Sequence, residues 1–280
     1  MSTLYDAIIV GTDGSQTSVR AVERAALYAE ALSAPVIVAS AYSRPTEGEV
    51  GPASERATMP KQSMVASAYR AAVDLAEDAA HFGRKVAPKA KVDSCAVEGN
   101  PAEALIELAA NHGDTLLVVG NRGMTGSQRF LLGSIPNKVS HHAVGDVLII
   151  ATAEDADVVL PGRILIGTDG SATATRALEQ GLALAAAAKA SVSVLAAGLG
   201  ARGDKVLEDA ARRAQAAGVD CSTINASGEA ADELLNAAAD HDLVVVGNKG
   251  MTGAARFLLG SVPNKVSHHI GADLLIVRTT

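Results

Sequence analysis

A phrase of fifteen residues occurs twice in this chain and limits its fold more than any other feature. The first copy, GNRGMTGSQRFLLGS, runs from Gly120 to Ser134, and the second, GNKGMTGAARFLLGS, runs from Gly247 to Ser261. Each copy follows four apolar residues that are typical of a buried strand. The first copy is followed by IPNKVSHH and the second by VPNKVSHH, and each of these predicts a short helix. The repeat therefore predicts two similar units in tandem.

The glycine spacing of this phrase predicts an anion site. It is the same in both copies: Gly120, Gly123 and Gly133 in the first, and Gly247, Gly250 and Gly260 in the second. Glycine at the end of a strand lets the backbone approach a ligand closely. The helix that follows begins with N–H groups that lack internal partners and with the positive end of its dipole, which favours phosphate. The alternative is that these glycines serve only tight turns and helix caps.

Residues beside the glycines also suit a phosphate site. Arg122 and Lys249 add a positive charge between the first two glycines of each copy. Ser134 and Ser261 suit the N-cap of the short helix, and a proline in each first turn occupies a place where a missing N–H does no harm. Because all of these features recur, phosphate binding is the preferred interpretation.

Charge and composition exclude several classes of protein. Lys and Arg number 24 against 31 Asp and Glu, and the formal net charge of −7 argues against a general binder of nucleic acid or membrane surfaces. Aromatic residues make up only 2% of the chain, which leaves no stacking platform for single-stranded nucleic acid. The two cysteines and an N-terminus unlike a signal peptide favour a reducing cytoplasm.

Strand-like apolar runs alternate with helix-like segments, which predicts an α/β fold with a mostly parallel, doubly wound sheet. We predict one domain over residues 1–152, a linker over 153–162 and a second domain over 163–280. Ligands of such sheets bind beyond the carboxyl ends of the strands. The segment GTDGS follows the first strand of each domain, at residues 11–15 and 167–171. Its aspartate either contacts a ligand there or bonds its own backbone in a turn.

The two domains differ in length between these motifs. Asp13 and Gly120 are 107 positions apart, whereas Asp169 and Gly247 are 78 positions apart, so the second domain is shorter by 29 positions. The missing part corresponds to a loop over residues 43–60 and to much of the long helix predicted after it. We therefore expect the first domain to bind its ligand more tightly.

GTDGS and GNRGMTGSQRFLLGSIPNKVSHH together resemble the universal stress protein family. The resemblance extends over nearly the whole chain, which looks like a tandem member of the ATP-binding type. It implies two tandem Rossmann-like domains of the adenine nucleotide alpha hydrolase-like kind, each a five-stranded, mostly parallel sheet with helices on both faces. It also implies that the last strands pair, here residues 147–151 with 273–278 inside one chain, and it leaves a homodimer open.

The family's binding residues carry over onto matching positions of this chain. By this resemblance Asp13 and Asp169 would contact the nucleoside, and the glycine–serine motifs would hold the ribose and phosphates of ATP, with Mg²⁺ or Mn²⁺ held by the phosphates. The backbone that ends each second strand, at Ala41 and Ala197, would meet adenine. The expected nucleotide-binding residues are Gly11, Thr12, Asp13, Ala41, Gly120, Arg122, Gly123, Gly133, Ser134 and Ile135, followed by Gly167, Thr168, Asp169, Ala197, Gly247, Lys249, Gly250, Gly260, Ser261 and Val262.

Three functions fit these features. The first is an ATP-binding regulator of the stress response, in which nucleotide changes conformation or partner choice. The second is a slow ATP hydrolase or a self-phosphorylating protein that uses Ser134, Ser261, Thr125 or Thr252, and the third is a nucleotide-free interaction scaffold. The sequence contains no Walker A motif and no obvious group to position water against a γ-phosphate, so we predict no catalytic residue. The adjacent histidines at 141–142 and 268–269 point to different sides of a helix, so we predict no metal site of protein ligands.

Overall fold

The structure, a computed structural model, describes residues 3–44, 61–121, 132–151, 158–248 and 259–278. Four residues of the predicted sites, Arg122, Gly123, Lys249 and Gly250, lie outside the described residues. Residues 153–157 of the predicted linker and the threonines at 125 and 252 also lie outside them.

The described part of each half contains five strands and four α-helices. In the first half these are β1 (Ala7–Gly11), α1 (Gln16–Leu32), β2 (Val36–Tyr42), α2 (Lys61–Val86), β3 (Val92–Glu98), α3 (Pro101–Ala110), β4 (Thr115–Gly120), α4 (Ser134–His142) and β5 (Asp146–Ile150). In the second half they are β6 (Arg163–Gly167), α5 (Ala172–Ala188), β7 (Ser191–Ala197), α6 (Ala201–Ala216), β8 (Cys221–Ala226), α7 (Ala230–Ala237), β9 (Leu243–Gly247), α8 (Ser261–His269) and β10 (Asp273–Val277), with a 3₁₀ turn (Ala238–Asp240) after α7. Helix α6 has 16 residues where α2 has 26, so part of the shortening of the second half falls on this helix.

The ten described strands form one sheet in the order β3-β2-β1-β4-β5-β10-β9-β6-β7-β8. Neighbouring strands are parallel within each half, and the antiparallel pair β5–β10 joins the halves. One buried apolar cluster packs the sheet against α1, α2, α5 and α6, and a second packs it against α3, α4, α7 and α8. The predicted α/β architecture with helices on both faces is confirmed. None of the described helices has the length and apolar character needed to cross a membrane.

A buried aspartate begins β5 and bonds to groups of the other half. Asp146 accepts hydrogen bonds from the backbone N–H of Arg278 at 2.7 Å and from Nε2 of Gln180 at 3.1 Å. It also accepts one from the hydroxyl of Tyr5 at 2.8 Å. Burial raises the pKa of this carboxyl group, and its hydrogen bonds act in the opposite direction.

A second buried aspartate begins β10 and has a different partner. Asp273 accepts a hydrogen bond from the backbone N–H of Ala151 at 2.9 Å and forms an ion pair with Arg24 of α1. Burial raises the pKa of Asp273, and the charge of Arg24 acts in the opposite direction. The seam between the halves is therefore nearly two-fold in its backbone contacts. Among the described residues, Asp273 forms an ion pair with Arg24, whereas Asp146 has hydrogen bonds from neutral donors and the charge of Arg176 acts to lower its pKa.

Gly145, directly before β5, has no room for a side chain. A Cβ at this position would meet the carbonyl oxygen of Thr115 and, at 2.5 Å, its Oγ1. Because that carbonyl belongs to the backbone of β4, we expect Gly145→Ala to lower the free energy of unfolding by about 1–3 kcal/mol. A urea titration followed by circular dichroism would measure it.

Gly271, in the turn before β10, is the matched control. No atom lies within 4 Å of a Cβ placed there, and its φ is not in the positive range. Gly271→Ala should therefore be neutral or should stabilise the protein by about 0.4–1 kcal/mol. A Gly145→Ala variant as stable as the Gly271→Ala variant would contradict the steric argument.

Candidate functional site

A cavity of about 280 Å³ lies at the carboxyl ends of β1, β2 and β4. Its lining residues are Gly11, Thr12, Asp13, Ser18, Ala39, Ser40, Ala41, Leu75, Pro101, Leu105, Val119, Gly120, Ile135 and Pro136. Strand β1 lies between β2 and β4, so the chain changes direction across the sheet at this point. Parallel α/β sheets bind ligands at such a switch point.

Six residues predicted from the sequence line this cavity: Gly11, Thr12, Asp13, Ala41, Gly120 and Ile135. They come from the ends of β1, β2 and β4 and from the first turn of α4. Gly133, the N-cap of α4, and Ser134, its first residue, are not among the lining residues. The structure thus brings the GTDGS segment, the end of the second strand and the end of β4 to one place.

Two leucines that the sequence analysis missed form walls of the cavity. A Cβ on Gly11 would lie 2.6 Å from Cδ1 of Leu105, and one on Gly14 would lie 2.5 Å from Cδ2 of Leu75. The glycines therefore let α3 and α2 approach the first loop closely, and Gly14 also has a φ of +77° that other residues rarely adopt. Leu105 belongs to the buried apolar face of α3, whereas Leu75 is 38% exposed on α2, and the sequence pattern marks neither leucine as a cavity wall.

The loop after β1 is held by its own side chains. Oδ1 of Asp13 accepts hydrogen bonds from the backbone N–H of Ser15 at 3.0 Å and from Oγ of Ser15 at 2.5 Å. The hydroxyl of Ser18 accepts one from the backbone N–H of Asp13 at 3.3 Å. Oγ of Ser15 in turn accepts from the N–H of Ser18, so Ser15 is the N-cap of α1. Asp13 therefore has the turn role that the sequence left open, and it also lines the cavity.

The start of α4 corrects one prediction. The N-cap residue is Gly133, with φ −60° and ψ 162°, and Ser134 is the first helical residue. Gly133 donates its N–H to the carbonyl of Asn121 at 3.0 Å, which holds Gly133 in an extended conformation. The helix consequently begins at Ser134, one residue earlier than it would if Ser134 were the cap. Gly260 and Ser261 show the same arrangement, so the N-cap predictions for both serines were wrong.

An ion pair fixes α4 against α3 beside the cavity. Nζ of Lys138 lies 2.7 Å from Oε1 of Glu103, and this hydrogen bond lowers the pKa of the glutamate. In the second half Lys265 lies 2.7 Å from both Glu229 and Asp232. Ion pairs therefore link α7 to α8 in the second half, just as one links α3 to α4 in the first.

The first loop of the second half repeats that of the first half, with different neighbours. The N–H of Thr168 donates to Leu195 at 2.9 Å, just as the N–H of Thr12 donates to Ala39 at 2.9 Å, so Leu195 holds the place of Ala39. Continuing this match, Ser18 and Ser40 correspond to Ala174 and Ala196. The predicted residues of this half lie at matching places: Gly167 at the end of β6, Thr168 and Asp169 directly after it, Ala197 at the end of β7, Gly247 at the end of β9, and Gly260, Ser261 and Val262 at the start of α8.

A cavity in the described part of the second half lies in a different place. It has a volume of about 300 Å³ and lies between α5 and α6. Its lining residues are Thr168, Gly170, Thr175, Leu178, Arg202, Lys205, Val206 and Asp209, of which only Thr168 was predicted. Within the described ranges, no group of three or more His, Cys, Asp or Glu side chains is arranged to hold a metal ion.

Comparison with known proteins gives a consistent result. The sequence profile of the universal stress protein family matches residues 4–151 and 195–278. Universal stress protein Rv1636 of Mycobacterium tuberculosis is 39% identical over 148 residues, which are 53% of this chain and 97% of that protein. A universal stress protein from Archaeoglobus fulgidus covers 99% of both chains with a TM-score of 0.74 at 17% identity, a likeness of fold. A universal stress protein solved in complex with cAMP is 36% identical and covers 54% of this chain and all of its own, with a TM-score of 0.40.

Proposed function

The chain belongs to the universal stress protein family, and we propose that it binds an adenine nucleotide in its first half and acts as a nucleotide-dependent regulator of the stress response. The observation that carries the proposal is the cavity at the ends of β1, β2 and β4, which six independently predicted residues line. We also propose that residues 1–152 and 163–280 are two domains joined by a linker over 153–162. The β5–β10 pair would then serve as their contact inside one chain.

The chemistry of the cavity fits an adenine nucleoside. Leu75, Leu105 and Ile135 provide apolar surface for the faces of a base, and the loop at Asp13 provides a carboxylate for hydroxyl groups of a ribose. The start of α4 beside the cavity is a favourable place for phosphate. No acidic cluster for a cation exists among the described residues, so a divalent ion would be held by the phosphates of ATP.

The lining residues favour binding over hydrolysis. Asp13 is the one ionisable side chain among the described residues that line the cavity, and its Oδ1 already accepts two hydrogen bonds from Ser15. Efficient attack on a γ-phosphate requires a group that orients water. The proposal is therefore that bound nucleotide controls the conformation or the partners of this protein.

Two measurements on the purified chain test nucleotide binding. Mass spectrometry of small molecules released by denaturation identifies any nucleotide that accompanies the protein. Calorimetric titration of nucleotide-free protein with ATP, ADP, AMP and cAMP, with GTP as control, then measures affinity and stoichiometry. We expect saturable binding of an adenine nucleotide and none of GTP, and conversion of ATP to ADP during the titration would instead favour hydrolysis. The proposal would be contradicted if no adenine nucleotide were released on denaturation and no adenine nucleotide bound in the titration.

A further inference from the structure

Three polar side chains of the second half, none of which lines either cavity, form a connected series of hydrogen bonds. Nδ1 of His241 lies 2.7 Å from the carbonyl oxygen of Ala237, and Nε2 of the same ring lies 2.9 Å from Oγ of Ser193. Oγ of Ser193 lies 3.0 Å from Oγ of Ser222 on the neighbouring strand. We refer to His241, Ser193 and Ser222 as the serine–histidine chain.

The direction of these hydrogen bonds follows from the donors that are present. A carbonyl oxygen can only accept, so Nδ1 of His241 carries the proton, and Nε2 of the neutral ring is an acceptor. Ser193 must then donate its hydroxyl proton to Nε2. Because that proton is used, the bond between the two serines has Ser222 as its donor. Both hydroxyl protons of the serine–histidine chain are thus directed toward the imidazole of His241.

Ser222, at the outer end of the serine–histidine chain, is accessible to solvent. Ser222 is exposed on β8, which is an edge strand of the sheet, whereas Ser193 and His241 are half-buried. A hydroxyl becomes nucleophilic when a neighbouring base can take its proton. Ser222 therefore combines access to solvent with a route for its proton, through Ser193, to His241.

The first half lacks this arrangement and provides an internal comparison. His112 is tethered in the same way, with Nδ1 2.7 Å from the carbonyl oxygen of Leu108. The strand pair that matches Ser193–Ser222 in the first half is Ile37–Asp93. The tether alone is therefore common to both halves, and the hydroxyl chain is specific to the second.

We propose that Ser222 is an acyl-acceptor site, activated by His241 through Ser193, for carboxylic esters and acyl phosphates with good leaving groups. Oγ of Ser222 attacks the carbonyl carbon, and the bond from that carbon to the leaving oxygen breaks. The proton of Ser222 passes to Ser193 as the proton of Ser193 passes to Nε2 of His241. The leaving group departs as an anion, and the imidazolium releases its proton to water.

The probe for this reaction is p-nitrophenyl acetate, applied to the full-length protein. We expect one acetyl group per chain on Ser222, located by peptide mass spectrometry, together with release of p-nitrophenolate. Ser222→Ala should abolish this label. Ser193→Ala and His241→Gln should slow its formation at least tenfold, since a positioned general base typically contributes about 10²–10⁴ in rate. His112→Gln, which alters only the tether of the first half, should leave the rate unchanged.

Thermal melts of each variant show whether the substitution has unfolded the protein. A folded His241→Gln or Ser193→Ala variant that is acetylated on Ser222 at the wild-type rate would overturn the proposal. Acetylation confined to lysines, or found on Ser193 in place of Ser222, would also overturn it. The outcome does not depend on nucleotide binding, because neither cavity contains a member of the serine–histidine chain.

Discussion

Replacing Arg24 by Ala should lower the free energy of unfolding by about 3–5 kcal/mol, the range expected when one partner of a buried ion pair is removed. Arg24 and Asp273 are 12% and 5% exposed in their side chains. Without Arg24, the carboxylate at the seam between the halves keeps only the backbone N–H of Ala151 among its described hydrogen-bond donors. A urea titration at neutral pH would measure the loss.

Gln180→Ala is the matched control on the other side of the seam. Gln180 donates to Asp146 from a neutral amide, and Asp146 keeps its bonds from Tyr5 and the N–H of Arg278 when that amide is removed. The expected loss is therefore smaller, about 1–2 kcal/mol. Equal losses in the two variants would contradict the view that charge at Asp273 decides the effect.

The loss in Arg24→Ala should depend on pH. Burial raises the pKa of Asp273 in the folded state, so the folded protein binds this proton more tightly than the unfolded chain does. Such a group stabilises the fold fully below its unfolded pKa, and that stabilisation is lost as pH rises through the folded pKa. Removing the charge of Arg24 raises the folded pKa further. The difference between Arg24→Ala and wild type should therefore narrow as pH is lowered from 7 toward about 4.

Asp273→Asn in the Arg24→Ala background provides the rescue. The amide of Asn removes the buried charge while its Oδ1 can still accept from the N–H of Ala151. Most of the lost stability should return. A double variant as unstable as Arg24→Ala would show that lost packing of the arginine stem, and not the unpaired charge, is the cause.

The sequence predicted the parts of the fold that depend on local pattern. Apolar runs of strand length and the repeated glycine phrase predicted the alternation of strands and helices, and the cavity contains Gly11, Asp13 and Gly120 as expected. The position of these residues follows from one rule, since parallel strands bring their carboxyl ends to one edge of the sheet. Local pattern was less reliable at the start of α4. There the N–H of Gly133 bonds to the carbonyl oxygen of Asn121, and Gly133 is the N-cap in place of Ser134.

Contacts between distant segments could not be predicted from the sequence. Leu75 reaches the cavity because α2 packs over the loop at Gly14, which no helical periodicity reveals. The ion pair of Arg24 with Asp273 joins residues 249 positions apart, and it exists only because β5 pairs with β10. The serine–histidine chain likewise needs the register of β7 on β8, which sets Ser193 beside Ser222.

Asp13→Ala should raise the dissociation constant of the adenine nucleotide about 10- to 100-fold, the effect of losing about 1.5–3 kcal/mol from a charged hydrogen-bonding group. Asp13 lines the cavity and also holds the turn through Ser15, so the alanine variant removes both roles. Calorimetric titration with the nucleotide that binds the wild type would measure the change.

Asp13→Asn separates the two roles of this residue. Its Oδ1 can still accept from the N–H of Ser15, so the turn is kept, but the charge is lost. If the carboxylate contacts the ligand, Asp13→Asn should weaken binding in the same direction as Asp13→Ala. If Asp13 serves only the turn, Asp13→Asn should bind nucleotide as the wild type does, and its assignment as a ligand contact would be wrong.

Asp169→Ala is the matched variant in the second half. It should change the nucleotide affinity of the tighter site, which we expect in the first half, less than twofold. Asp169 holds its turn as Asp13 does, with Oδ1 accepting from the N–H of Ser171 at 2.9 Å.

The neighbours of the two aspartates differ. The hydroxyl of Ser18 bonds to Thr12 at 3.1 Å and to the N–H of Asp13, and the alanine at position 174 can make neither bond. A loop already held in one conformation loses less entropy on binding, which favours the first half. Equal effects of Asp13→Ala and Asp169→Ala would instead indicate two equivalent sites.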